Sequence, residues 1–198
     1  DFSNILLDLA VLRSLNIKVV LVHGAAHQIQ ALGEKRGLQL SNIDGTGITD
    51  ETTLEVSMDA ISRLSNALLQ SLTTVNLRAA TANAIHAHPA GILKGIDTGF
   101  TGAIERIDAE VLESFLEQGI LPVVPPLGFD ADGQILRVNS DAVSREVATA
   151  LGATKILFVS EDEPLPHIKN RERQFSSDDA LAFLEANADL PSGFRSKA

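Results

Sequence analysis

The chain has 198 residues, 44% of them apolar, a formal net charge of −10 and no cysteine. That is enough length and apolar content for one packed domain, and it excludes disordered and collagen-like chains, disulfide scaffolds and thiolate metal centres. The acidic balance, with no Trp or Tyr for base stacking, argues against nucleic acid as a partner, and no apolar run reaches the roughly 20 residues that span a bilayer.

An anionic small molecule remains compatible with this charge, because local backbone amides can outweigh it. The lack of cysteine and of a secretory signal fits a cytoplasmic, reducing compartment. The first residue is Asp1, so the start reads as truncated.

Phe2, Ile5, Leu6, Leu9, Leu12 and Leu15 recur at helical spacing, and Asn16 can end that helix. Residues 17–22 (IKVVLV) are β-branched and apolar, as a buried parallel strand requires. His23-Gly24-Ala25-Ala26 turns the chain into a second helix near His27. Thr49 or Asp50 can cap a long helix striped by Leu54, Met58, Ile61, Leu64, Leu68 and Leu72. Asp108 can cap a helix over 109–118, closed by a left-handed Gly119. A strand over 120–124 follows. Asp132-Gly133 turns a hairpin back into 134–138. Val143, Val147, Ala148 and Leu151 stripe a helix ending at Gly152, and 154–159 reads as another buried strand. Residues 161–177 read as a polar loop, with Arg171 and Arg173 at its surface, and 178–188 as a last helix. Alternating strands and helices predict a single α/β domain over 1–198. It is a three-layer αβα sandwich with a mainly parallel central sheet.

Two places can hold a ligand. In the first, His23, Gly24, Ala25 and Ala26 let backbone amides approach an anion at a helix N-terminus; a tight strand-to-helix turn explains the same residues. In the second, Arg137, Asn139, Ser140 and Asp141 sit between a strand and a helix, where helix capping accounts for one of them and a ligand for the set. His86 and His88 alternate onto one strand face and read as an exposed or satisfied pair rather than a metal site, so no metal is expected. Glu161-Asp162-Glu163 reads as a solvated acidic loop.

Four stretches together resemble the amino acid kinase family, in its acetylglutamate branch. They are LVHGAAHQI (21–29), GITDETTLEV (47–56), PVVPPLGFDADGQILRVNSDAVSREVATALGATKIL (122–157) and SGFRSK (192–197). The resemblance covers essentially the whole chain. In that branch acetylglutamate kinases phosphorylate a side-chain carboxylate with ATP and Mg. N-acetylglutamate synthases carry a similar domain, which in many of them binds arginine, ahead of an acetyltransferase domain that uses acetyl-CoA. KGIDTGFTGAIERIDAEVL (94–112) and the opening of the chain resemble the synthases more.

The departures from the kinase pattern point the same way. Phosphoryl transfer needs cations around the migrating group. The family's first strand carries a lysine and a glycine pair, and this chain begins after it. Ala25 and Ala26 stand where kinases favour glycine, so their methyls are expected to crowd a phosphate. Gly47 stands where kinases carry a substrate-gripping arginine, and Arg137 where they carry an asparagine. The loop after the last strand, 160–164, has no glycine. Asp141 and Lys197 match kinase positions and are expected to be vestigial.

No coenzyme A turn of the Arg/Gln-x-x-Gly-x-Gly/Ala kind occurs in the chain, so an acetyltransferase domain is expected beyond residue 198. The resemblance therefore implies a non-catalytic, arginine-sensing regulatory domain in arginine biosynthesis. It implies no cofactor of its own, homo-oligomeric assembly, and arginine, glutamate or N-acetylglutamate as ligand. An acetylglutamate kinase, or an assembly domain that binds nothing, are the alternatives.

Overall fold

A computed structural model describes residues 2–41, 47–93, 95–159 and 176. The chain divides into two compact units, residues 1–154 and 155–198. In the first unit, α1 spans Phe2–Ser14 and buries Leu6 and Leu9. β1 is short, Leu21–Val22, and leads into α2, Ala26–Arg36. The long α3, Glu51–Thr74, starts at Asp50, whose carboxylate accepts the Thr53 amide at 2.7 Å. Strands β2 (Ala79–Thr81), β3 (Ile85–Pro89), β4 (Ile92–Leu93), β5 (Ile96–Asp97) and β6 (Gly102–Ile107) follow. Asp108 then caps α4, Ala109–Glu117, through the Val111 amide at 3.2 Å. β7 (Leu121–Val124), β8 (Leu127–Phe129), β9 (Ile135–Arg137) and α5 (Ser140–Ala150) complete the unit.

Each of the five helices among the described residues ends the same way. A left-handed residue just beyond the last turn lets the next amide reach back five residues. The left-handed residues are Asn16, Gly37, Asn76, Gly119 and Gly152. The bonds run from Ile17 to Leu12, Leu38 to Gly33, Leu77 to Leu72, Ile120 to Phe115 and Ala153 to Ala148, at 2.8–3.0 Å. Three of these closers were expected from the sequence; Gly37 and Asn76 were not.

The parallel sheet has the order β1-β7-β2. All four residues of the central β7 are buried, as a strand covered on both faces requires. Leu121 and Val123 face Leu6 and Leu9 of α1 and Leu68 and Leu72 of α3. Val124 faces the other way, into a cluster with Leu112 of α4 and Val143 and Val147 of α5. Helices thus cover both faces of the sheet, which is the three-layer α/β arrangement expected. A second sheet, β6-β3-β8-β9, is mostly antiparallel, and β4-β5 is a separate ribbon. The pairing of β3 with β6 and its bulge between His86 and Ala87 were not foreseen. The expected hairpin at Asp132-Gly133 is present between β8 and β9. Gly133 is left-handed, and Asp130 accepts the amides of Asp132 and Gln134.

Two strand expectations are corrected. Of residues 17–22 only Leu21 and Val22 pair, because Ile17 is consumed in closing α1 and is exposed. In the second unit, residues 155–159 form no strand, and Leu157 and Val159 are each 73% exposed. A buried parallel strand needs hydrogen-bonded neighbours and cover on both faces, and among the described residues this run has no pairing strand. The expected loop at 161–177, the helix at 178–188, the acidic run 161–163, Arg171, Arg173 and Lys197 lie outside the described residues, Ser176 apart.

Candidate ligand site at the strand tips

Because β1, β7 and β2 are parallel, their C-terminal ends share one edge of the sheet. Ligands of open α/β sheets bind outside that edge. His23 and Gly24 follow β1 there, and the His23 amide extends the pairing by donating to Val124 O at 3.3 Å. α2 begins at Ala26 and α5 at Ser140.

The two sequence-predicted sites are brought together. A Cβ added to Gly24 would lie 3.0 Å from Ser140 Oγ, so the glycine loop and the Asn139-Ser140-Asp141 corner form one place. The two helices meet there with different caps. Asn139 Oδ1 accepts the Ala142 amide at 3.0 Å, so capping is one part of what the corner does. Asp141, in the first turn of α5, complements the positive end of the helix dipole. At α2 the N-cap residue is Ala25, whose methyl cannot accept a hydrogen bond, so the first amides of that helix have no side-chain cap.

Ala25 itself corrects an expectation. It is 4% exposed and packs with Ile29, Val56, Ala60 and Ile61, so its methyl fills the core between α2 and α3 rather than crowding the anion side of the loop. Ala26 is exposed, like Gly24. Arg137 is 3% exposed. Its amide donates to Phe100 O at 2.9 Å, and it pairs with Leu127 and bridges Thr101. It is a buried cation within the second sheet rather than an open arm at the corner.

The His23 ring is the best-defined polar group of the site. Nδ1 is 3.2 Å from Gly24 O and Nε2 is 2.9 Å from Ser65 Oγ. A carbonyl only accepts, so Nδ1 carries the proton; in the neutral ring Nε2 accepts from the Ser65 hydroxyl. Burial lowers the imidazole pKa from its ordinary 6.5, and the Gly24 carbonyl opposes that more weakly. Ser65 was missed from the sequence. Its signal was present: a serine inside the apolar stripe of a helix, four residues after Ile61.

The Thr-Asp segment supports the site's frame. Thr101 Oγ1 donates to Gly47 O at 2.6 Å, so at their 2.7 Å contact the Thr49 hydroxyl donates to Thr101. Thr49 is fully buried. His86 and His88 share one face of β3, and His86 Nε2 lies 4.0 Å from Asp108 Oδ2. Among the described residues no group of three metal-ligating side chains forms, and no helix is long and apolar enough to cross a membrane. A concavity of about 470 Å³ at the opposite edge is lined by Thr73, Asn76, Arg78 and Ile120. It lies at the C-terminal end of α3, the negative end of that helix's dipole.

The model of the amino acid kinase family matches residues 1–183. The amino-acid acetyltransferase of Pseudomonas fluorescens (strain SBW25) is 34% identical over 171 residues, covering 82% of this chain and 40% of its own. That of Vibrio vulnificus (strain CMCP6) is 32% identical over 209 residues, covering 99% and 47%. In fold, the chain is similar to N-acetylglutamate synthase from Neisseria gonorrhoeae complexed with coenzyme A and N-acetyl-glutamate. The TM-score is 0.82 at 24% identity, covering 98% of this chain and 46% of that one. The same synthase complexed with coenzyme A and L-arginine gives a TM-score of 0.75 at 22% identity, covering 98% and 47%. The chain spans less than half the length of these relatives.

Proposed function

The chain belongs to the amino acid kinase family, and we propose that it is the kinase-like, ligand-sensing part of an N-acetylglutamate synthase in arginine biosynthesis. The observation that carries the reading is the meeting of Gly24 with Ser140. It sets an uncapped helix start and a capped one at the tips of parallel strands, where a carboxylate of an amino-acid ligand is stabilised by amides and dipoles. The acetyltransferase relatives supply the class of parent, and the ligands of the gonococcal synthase supply the candidates, L-arginine and N-acetylglutamate. Acetyl transfer from acetyl-CoA is then the work of the part of the parent that this chain does not span.

One observation favours the second reading, an acetylglutamate kinase. The methyl of Ala25 is buried, so that methyl does not crowd a phosphate on the loop. That reading requires cations at the same place to steady the transferring phosphoryl group. Calorimetry of the parent protein with L-arginine, N-acetylglutamate and ATP/Mg separates the readings. The proposal expects an amino-acid ligand to bind and no acetylglutamyl phosphate to form. Phosphoryl transfer would establish the kinase, and no heat with any of the three would leave only an assembly role.

A further inference from the structure

We propose that His23 is a positioning residue for this site, holding the Gly24 carbonyl toward α3 so that the Ala25 amide is presented to the ligand. The inference rests on the reading that the glycine loop binds an anionic ligand. A trans peptide fixes C=O and N–H on opposite sides, and no cis peptide occurs among the described residues. The Gly24 carbonyl accepts from Nδ1 at 3.2 Å. The Ala25 N–H therefore points away from that ring, and no backbone carbonyl among the described residues accepts it. The ring cannot swing aside freely, because Nε2 is tied at 2.9 Å to Ser65 in the middle of α3 and the residue is 8% exposed. A rigid long helix thus sets the direction of one amide at the strand tips. This is how a binding constellation is kept in register by groups that never touch the ligand.

Two variants separate positioning from plain packing. His23→Asn keeps an N–H near the place of Nδ1 and loses the tie to Ser65; His23→Leu loses both. With L-arginine and N-acetylglutamate as probes, His23→Leu is expected to raise Kd about tenfold, the worth of one well-placed hydrogen bond. His23→Asn should recover most of that loss, although both variants lower Tm. A role in packing alone predicts lowered Tm in both with Kd unchanged. Long-range 1H–15N spectra of the histidines give a reading that needs no ligand. The proposal expects a neutral, Nδ1-protonated His23, and an Ala25 15N shift that reports the hydrogen bond on the Gly24 carbonyl, moved in His23→Leu and moved less in His23→Asn. An Nε2-protonated ring, or an Ala25 15N shift indifferent to both substitutions, overturns it. If wild type binds neither probe, the ligand reading falls, while the tautomer and the Ala25 15N shift still decide the part His23 plays.

Discussion

Ser140 Oγ lies 3.0 Å from the point that a Cβ on Gly24 would occupy, so segments from opposite ends of the unit close on each other at the strand tips. The encroaching atom is the end of a short rotor; the Ser140 Cβ behind it would be at an ordinary 3.7 Å. Gly24→Ala should therefore be absorbed by turning the Ser140 hydroxyl, at a cost below about 1.5 kcal/mol. The turned hydroxyl no longer faces the loop as before, so ligand affinity should fall more than stability does. Adding Ser140→Ala removes the clash, and the two changes should couple by more than about 0.5 kcal/mol in unfolding experiments. Strict additivity would mean that the loop and the corner do not touch.

The buried His23 makes acid destabilising in a defined window. Its folded pKa is lowered from 6.5 by burial, against the weaker pull of the Gly24 carbonyl. Between 6.5 and that lower value the unfolded chain holds more protons than the folded one, so stability falls as pH drops. Above 6.5 the contribution is fully present. Urea midpoints measured from pH 7.5 down to 5 should decline more in wild type than in His23→Gln. Parallel declines would show that His23 takes up its proton equally in both states.

Much of this arrangement is legible in the sequence, for local reasons. Asn16, Gly119 and Gly152 announce helix ends because few other residues enter the left-handed region cheaply. Asp50, Asp108 and Asn139 announce helix starts because their oxygens reach the third amide. β7 is read from its unbroken apolar run, which a strand buried on both faces demands. What stays hidden depends on pairing across the chain. The direction of the Ala25 methyl follows from the backbone at the N-cap, φ −147° and ψ 19°, and from α3 standing behind it. The burial of Arg137 follows from its register with Leu127 and Thr101. Residues 154–159 show the converse, since apolar composition alone gives this run no pairing strand among the described residues.

The start of α3 depends on Asp50. Its carboxylate accepts the Thr53 amide at 2.7 Å, and that bond, then the Thr53 hydroxyl, holds its pKa below the usual 3.8. Asp50→Ala should cost about 1 kcal/mol. Asp50→Asn should cost less at neutral pH, because the amide oxygen still caps. The carboxylate's contribution is fully present above pH 3.8 and is lost as pH falls from there through the lowered folded value. The wild type should therefore lose stability in that range faster than Asp50→Asn. An equal acid slope in the two proteins would remove the cap from the account.

Gly99 and Gly133 test where a left-handed glycine is irreplaceable and where it is merely convenient. Both have positive φ, 60° and 82°. A Cβ on Gly133 meets nothing within 4 Å, so Gly133→Ala should cost only the left-handed penalty, about 1–2 kcal/mol. A Cβ on Gly99 would stand 2.5 Å from Thr49 O, a backbone atom that already accepts the Phe100 amide at 2.8 Å. Thr49 cannot retreat easily, since its own amide donates to Thr98 O at 3.1 Å and its hydroxyl bonds Thr101. Gly99→Ala therefore adds a steric term of about 1–3 kcal/mol to the conformational one, and should unfold at clearly lower denaturant than Gly133→Ala. The loss should also spread to α3, whose lead-in carries Thr49, and faster amide exchange in its first turn would report that. Equal midpoints for the two variants would mean that the Thr49–Gly99 approach is looser than 2.5 Å implies.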